Sequence, residues 1–416
     1  LLRLICDVMG AAPKLAETIG RRPRVLDALM DPAFYDGVPE EADLDRRLTQ
    51  SFGEARDFED LLDRARIFGQ EQLFLIGIRV LTGTLSANQA GAAYATLAGV
   101  VVRRLLAAVE TEFAEKHGRV AGGVAAVVAM GKLGGREMTA SSDLDLMLLY
   151  DFDESCEASD GIKPLAPSQY YIRLTQRLVA ALSAPTAQGL LYEVDFRLRP
   201  SGNKGPMATR LAAFESYHAG EAWTWEAMAL TRARVVAGPP AFAARVEAAI
   251  REALMRPRDA EKLRAEVAEM RDLIAREKGT TDPWDMKQIP GGLVDVEFVA
   301  QFLMLRHGPE EPSLFSTNTA EALERLRTAG RLGLSDYEEL APALRLYQGL
   351  TQTLRLATDG PFRPKEAPRG LLDLLTRVGE LPDFATLEAH LVDTEATARA
   401  VHERLLGKPR KRRGQT

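Results

Sequence analysis

The stretch Val124–Tyr150, VAAVVAMGKLGGREMTASSDLDLMLLY, decides how this chain is read. An apolar run ends at Gly131-Lys132, a glycine-containing connection follows, and Ser141-Ser142-Asp143-Leu144-Asp145 opens a second apolar run. The pattern predicts strand, turn, short helix, strand. Side chains alternate along a strand, so Asp143 and Asp145 share one face while Leu144 and Leu146 point the other way, into a core. Two carboxylates side by side on a strand repel each other unless a cation lies between them. Hard oxygen ligands of this kind suit Mg2+, which is typically held by one or two carboxylates plus substrate phosphates. Glycines allow a phosphate close to the backbone, and a helix start favours its charge. Gly131, Gly134, Gly135 and Ser142 are therefore candidate phosphate contacts, with Lys132 adding charge. An isolated D-x-D is usually a solvated strand end; the glycine turn and a third element distinguish this one.

That third element is Leu190–Pro200, LLYEVDFRLRP, which alternates cleanly. Tyr192, Val194, Phe196 and Leu198 form an apolar face, and Glu193, Asp195, Arg197 and Arg199 a charged one, as in a strand with one side on a core. Paired beside the D-x-D strand, Asp195 becomes a third carboxylate of the cluster. Two-metal phosphoryl or nucleotidyl transfer uses such a set, with carboxylates holding the ions about 3.5–4 Å apart. Asp195 would bind the nucleophile-side metal and accept the hydroxyl proton, and Arg197 and Arg199 would neutralise phosphate charge. Taken alone, the same strand reads equally well as a solvated face of Asp–Arg pairs.

Gly131-Lys132, the spacer to Asp143, the D-x-D and the later strand aspartate together resemble the DNA polymerase β-like nucleotidyltransferase superfamily. In that superfamily the first dipeptide is more often Gly-Ser; here Lys132 replaces the hydroxyl residue and Ser142 is the nearby hydroxyl. Four blocks in order, GKLGGREMTASSDLDL, YEVDFRLRPSG, EAWTWEAMALTRARVVAG and IPGGLVDVEFVAQFLMLRHG, resemble the glutamine synthetase adenylyltransferase/adenylyl-removing enzymes more closely. The opening stretch from Leu1 to Pro32 is similar to the segment that precedes a catalytic half in that family. Those enzymes carry two related halves, one removing AMP from glutamine synthetase by phosphorolysis and one attaching AMP from ATP to its tyrosine. Ser201, where the removing half usually has Phe, and the pair Trp223 and Trp225, where it usually has a single Trp in Trp-Glu-Arg, are similar to the adenylylating half. The start at Leu1 and the single D-x-D block suit part of a larger protein.

The resemblance implies an α+β, predominantly helical fold. A polymerase β-like mixed sheet core spans residues 86–238, between a helical region 1–85 and a helical bundle 239–407, with a basic tail 408–416. It implies ATP as substrate, Mg2+ (two ions) at Asp143, Asp145 and Asp195, and glutamine synthetase as protein substrate. PII signalling protein and glutamine are the regulators it implies, and Lys287, before the Gly291-Gly292 pair, a nucleotide contact. Two rival readings are phosphorolytic removal of AMP and a non-catalytic module that binds ATP or PII.

Composition narrows the classes independently. The 416 residues allow two to four compact units, and 46% hydrophobic content is ample for buried cores. Aromatics are only 6%, while helix formers abound. A formal charge of -6 argues against a broad nucleic-acid surface. The cysteines are Cys6 and Cys156, too few for a disulfide framework or thiolate cluster, as expected of a reducing cytosol. His117, His218, His307, His390 and His402 show no zinc spacing. No uninterrupted apolar run of about 18 residues and no signal sequence are visible, so a soluble chain is expected, with no membrane partner.

Along the chain, Leu15, Ile19, Leu26 and Leu29 keep helical spacing until Asp31-Pro32 and the loop Asp36-Gly37-Val38-Pro39. Helix is predicted from about Glu41 to Leu81. Ser86 caps a long helix to about His117, and Ser168 opens another with Tyr171, Leu174, Leu178 and Leu182 on one side. Phe214–Arg234 reads as helix. Trp223 and Trp225, two apart, share no helical face; core packing is expected for both, the alternative being that one packs in the core while the other stacks on the adenine or contacts the partner. Asp295 and Glu297 likewise fall on different faces and read as structural charges.

Overall fold

The fold is built on two strands that the decisive stretch contains. The computed structural model of the chain describes residues 12–30, 34, 37–358 and 360–407. Cys6, Asp31-Pro32, Asp36 and the basic tail lie outside these. Among the described residues, helices α1 (Pro13–Arg21), α2 (Val25–Ala28), α3 (Glu41–Gly53), α4 (Phe58–Leu81) and α5 (Ala87–His117) come first. Strand β1 (Val124–Ala129), the one-turn helix α6 (Gly131–Gly134), β2 (Leu144–Asp151) and helix α7 (Pro167–Ser183) follow. Then come β3 (Val194–Asp195), β4 (Ala208–Arg210), α8 (Leu211–Gly220), α9 (Thr224–Leu230) and β5 (Arg234–Ala237). The chain ends in helices α10 (Pro240–Leu254), α11 (Ala260–Lys278), α12 (Leu293–His307), α13 (Thr319–Thr328), α14 (Leu334–Ala357), α15 (Arg369–Val378) and α16 (Phe384–Leu406). The chain is thus mostly helical around one small mixed sheet, an α+β arrangement.

Strands β1 and β2 pair antiparallel, with Val127 opposite Leu148, and β5 pairs antiparallel with the other edge of β1. The free edge of β2 takes two short parallel partners in succession: β3 at Leu144 and Asp145, then β4 at Leu148–Tyr150. Strand alternation divides the sheet between two cores. Ala125, Val127, Ala129, Leu144, Leu146 and Leu148 pack with α1–α5 and α7. Ala126, Val128, Met147 and Leu149 pack with the helices from α8 onward. Asp145 is in phase with Met147 and Leu149, so it projects toward the C-terminal helices.

Local signals explain where the elements stop. Ser86 accepts the Gln89 N–H and Gln89 returns a bond to the Ser86 backbone, a capping box at the start of α5. By length and composition α5 passes for a membrane span, yet 67% of its most apolar window is buried inside this fold. The expected single helix from Glu41 to Leu81 is two helices. Asp57 accepts the Asp60 N–H at 2.8 Å and starts a fresh N-terminus. The expected strand Leu190–Pro200 contracts to Val194–Asp195, because the Asp195 carboxylate accepts the Arg197 N–H at 2.7 Å and turns the chain. Phe214–Arg234 is not one helix either: Glu226 caps a new start at Trp223, and β-branched Val235 and Val236 extend into β5. Trp223 is 70% exposed and Trp225 half-buried, so the core expectation fails for both.

One buried charge makes the C-terminal helices pH-sensitive. Glu395 on α16 is buried, its Oε1 has no hydrogen-bond partner, and burial with help from Asp282 pushes its carboxyl up to about 8. Between the ordinary value of 4.5 and about 8 the folded chain holds a proton that the unfolded chain has released. Stability therefore falls as pH rises through that window. Glu395→Gln is expected to leave stability unchanged near pH 5 and to raise it by about 1–3 kcal/mol at pH 8. Denaturant midpoints at both pH values check this; parallel pH profiles of the two proteins would refute it.

Candidate active site

The three aspartates singled out from the sequence converge. Carboxylate oxygens of Asp143, Asp145 and Asp195 all lie within 4.8 Å of one another. The sheet register produces this directly: β2 and β3 run parallel with Asp145 opposite Asp195, and Asp143 sits one residue before β2. Asp143 is exposed and the other two are half-buried. Burial, reinforced by Asp143 and Asp195 and opposed by Lys287 and Arg232, raises the Asp145 carboxyl to about 6. Such a cluster of hard oxygens, with repulsion stored in it, fits Mg2+ by the chemistry of its donors.

Arg197 occupies Asp195 in this state. Its Nε donates to Oδ2 at 2.7 Å, Nη2 contacts the same oxygen, and its backbone N–H donates to Oδ1. Burial alone would raise the Asp195 carboxyl, but these donors outweigh it and hold the group below the usual range. The guanidinium is itself 68% exposed and within electrostatic reach of Asp143 and Asp145.

Lys132 and Lys287 meet on the other flank. Lys287, contributed by the turn before α12, acts on both Asp145 and Lys132. Lys132 lines a cavity of about 30 Å³ with Glu137, Thr139, Glu297 and Gln352. Burial, then repulsion from Lys287, brings its ammonium down to about 8, with Glu297 opposing. Gly131 must be glycine: its φ is +51°, and a Cβ there would stand 2.1 Å from Asp145 Oδ2.

Four other expected phosphate contacts have different surroundings. A Cβ on Gly134 would meet the Arg232 carbonyl at 1.8 Å, and one on Gly135 the Arg232 guanidinium at 2.3 Å, so these glycines serve close packing. The Ser142 hydroxyl is buried in its own turn, accepting the Thr139 N–H at 2.9 Å. Arg199 is buried rather than on the charged face. It donates to the carbonyls of Phe196 at 2.7 Å, Pro206 at 3.0 Å and Gly205 at 3.1 Å, stapling the loop between β3 and β4. The fork of a guanidinium makes several such bonds at once. Asp295 and Glu297 are structural charges, as their helical spacing implies. Asp295 pairs with buried Arg271 and accepts the Gly291 N–H, which fixes the turn carrying Lys287. Glu297 pairs with Arg232 at 2.9 Å.

The sequence reading missed Arg232 and Glu137. Both side chains are 7% exposed and form an ion pair. Glu137 also accepts the Thr319 N–H at 2.8 Å, Asn318 donates to the Gly135 carbonyl at 3.2 Å, and Gln352 to the Met138 carbonyl at 2.7 Å. The segment that leads from α6 to Asp143 is therefore clasped by α12, α13 and α14. Two arginines, Arg232 and Arg234, amid the apolar MALTRARVVA run were the available signal.

Comparison with known proteins adds two findings. Residues 2–249 match the family model described as glutamate-ammonia ligase adenylyltransferase, and residues 260–362 match that of PII-uridylyltransferase. Three curated relatives share the name bifunctional glutamine synthetase adenylyltransferase/adenylyl-removing enzyme. Those of Xanthobacter autotrophicus and Rhodopseudomonas palustris (strain TIE-1) are 53% and 49% identical, each over 98% of this chain and 41% of their own length. That of Mesorhizobium japonicum is 50% identical over 98% of this chain and 42% of its own. The chain thus spans about two fifths of the length of the relatives it matches.

Proposed function

The chain belongs to the glutamate-ammonia ligase adenylyltransferase family, and from that membership and the site we propose that it transfers AMP from ATP to a tyrosine hydroxyl of glutamine synthetase. The observation that carries the reading is the three-carboxylate cluster within 4.8 Å, flanked by Lys287 on one side and an open cleft on the other. We read the sheet as a polymerase β-like nucleotidyltransferase core over residues 86–238, with helical regions before and after it, working in the cytosol.

Asp143, Asp145 and Asp195 would hold Mg2+, which when bound neutralises phosphate charge and activates the attacking oxygen. The chain's own groups supply the rest. Lys287 and Lys132 face the triphosphate, and phosphate beside Lys132 would return its ammonium toward the ordinary range. The acceptor hydroxyl enters on the Asp195 side. A new O–P bond forms at the α-phosphorus, the bond to the β-phosphate oxygen breaks, and pyrophosphate leaves. Asp195 takes the hydroxyl proton once phosphate draws Arg197 away from it, since with Arg197 attached it is a weak base.

The relatives' names also carry the removing activity, and the same carboxylates serve phosphorolysis in reverse. Ser201 and the two-tryptophan block favour transfer. PII protein and glutamine are the proposed regulators. Labelled ATP, Mg2+ and unmodified glutamine synthetase are expected to give AMP on a single tyrosine by mass mapping. Release of ADP from adenylylated glutamine synthetase plus phosphate, with no forward transfer, would assign the removing reaction instead.

A further inference from the structure

Trp223 is 70% exposed, yet the backbone that carries it is fixed on every side. Its N–H donates to the buried Glu226 carboxylate at 2.8 Å, and Glu226 also accepts the Tyr217 hydroxyl at 2.9 Å. Thr224, the next residue, is hydrogen-bonded to Glu266 of α11. The Ser201 backbone lies against both Tyr217 and Glu226 and favours their charged forms. The indole is thus held out in solvent on a rigid mount. Packing gives no reason for this, and Trp held in place before binding is the residue type most enriched in interface hot spots.

The same mount carries one rim of the carboxylate site. Ser201 begins the loop Ser201–Gly205, which Arg199 staples from below. Asn203 of that loop lines an open cleft of about 400 Å³ together with Asp143, Asp195 and Arg197. The opposite flank, at Lys132, Glu137 and Glu297, is a much narrower cavity of about 30 Å³. A protein acceptor therefore approaches from the Asp195 side, past the loop that Glu226 ties to Trp223.

The geometry points to Trp223 as an anchor for the protein acceptor: a chain segment that presents its tyrosine to the cleft packs an apolar group on the indole. The inference rests on the AMP-transfer reading and deepens it by giving the acceptor a docking point apart from the nucleotide and the carboxylates. It also gives the two-tryptophan block, which the chemistry leaves unused, a specific task.

The test measures binding of unmodified glutamine synthetase to the immobilised full chain, and its KM in AMP transfer, for wild type, Trp223→Ala and Trp223→Phe. Affinity for a fluorescent ATP analogue and the thermal midpoint are followed in parallel. In Trp223→Ala the Kd and KM for glutamine synthetase are expected to rise at least tenfold. Trp223→Phe recovers part of the loss, and analogue affinity and melting stay at wild-type values. Unchanged acceptor affinity in Trp223→Ala overturns the anchor while leaving the transfer reading intact. A loss confined to the ATP analogue places the indole on the nucleotide and overturns it equally. Failure of the wild type to bind or modify glutamine synthetase overturns the reading, and the named acceptor with it.

Discussion

Asp145→Asn is expected to abolish AMP transfer while making the metal-free protein more stable. The two effects have one cause. In the absence of a cation, Asp145 is a carboxylate half-buried beside two others, and its folded value of about 6 lies well above its ordinary 3.8. Between those values the folded chain holds a proton that the unfolded chain has lost, so stability falls as pH rises through the window. Asparagine keeps the shape and removes the repulsion, which should stabilise the chelator-treated protein by about 1–2 kcal/mol at pH 7.5. The same change removes the central carboxylate of the proposed Mg2+ site, so turnover should fall by roughly a thousandfold or more. Mg2+ should raise the thermal midpoint of the wild type, since binding to the folded state adds stability by mass action, and this shift should vanish in the variant. Near-wild-type turnover, or a full Mg2+ shift in the variant, would remove Asp145 from the metal site. Loss of activity accompanied by a lower midpoint in chelator would show a structural carboxylate instead.

The sequence made the centre of this site legible because the chemistry and the periodicity coincide there. D-x-D on a strand of period two fixes a face without any tertiary information, and the Asp195 strand announced itself by the same alternation. The long helix from Ser86 was legible from its cap, and the one expected from Ser168, which begins at Pro167 with no side-chain cap, from its apolar stripe. Legibility ended where contacts between distant segments decide. Arg199 belongs to the charged face by alternation, yet a turn started by Asp195 swings it inward onto carbonyls. Gly134 and Gly135 look like phosphate glycines until Arg232, distant in the chain, is seen packed against them. Strand β4, three residues long, leaves no periodic trace. The exposure of Trp223 runs against the hydrophobic prior for tryptophan and is set by a cap rather than by the residue itself.

Arg232→Met should give a large stability loss, with a pH signature of its own. Arg232 is 5% exposed, bonded to Glu137 through Nη2 and to Glu297 through Nη1 at 2.9 Å. Burial disfavours its charge, but two carboxylates outweigh that and keep the guanidinium protonated. Burial also pushes Glu137 up, with Arg232 as the chief opposing influence. Methionine fills similar volume but leaves two carboxylates without their cation, a change that costs about 3–5 kcal/mol for a buried pair. Two donors from Thr319 remain on Glu137, at 2.8 and 3.1 Å, so the pocket keeps part of its bonding. Without Arg232 the Glu137 carboxyl rises further and takes a proton at higher pH. The folded variant then holds a proton that the unfolded chain has released, so its stability rises relative to wild type as pH falls. The deficit should therefore be largest near pH 8 and shrink toward pH 5. Arg232→Met/Glu137→Leu, which removes both halves of the pair, should recover a substantial part of the loss, and the double-mutant cycle measures the coupling. Because this pair joins the start of β5 to the segment before Asp143, and Glu297 adds α12, AMP transfer should fall in step with stability at pH 8. A deficit below about 1 kcal/mol, or one independent of pH, would mean that the three side chains do not act as a buried charge network and that the clasp on the segment before Asp143 is held by Asn318, Thr319 and Gln352 alone.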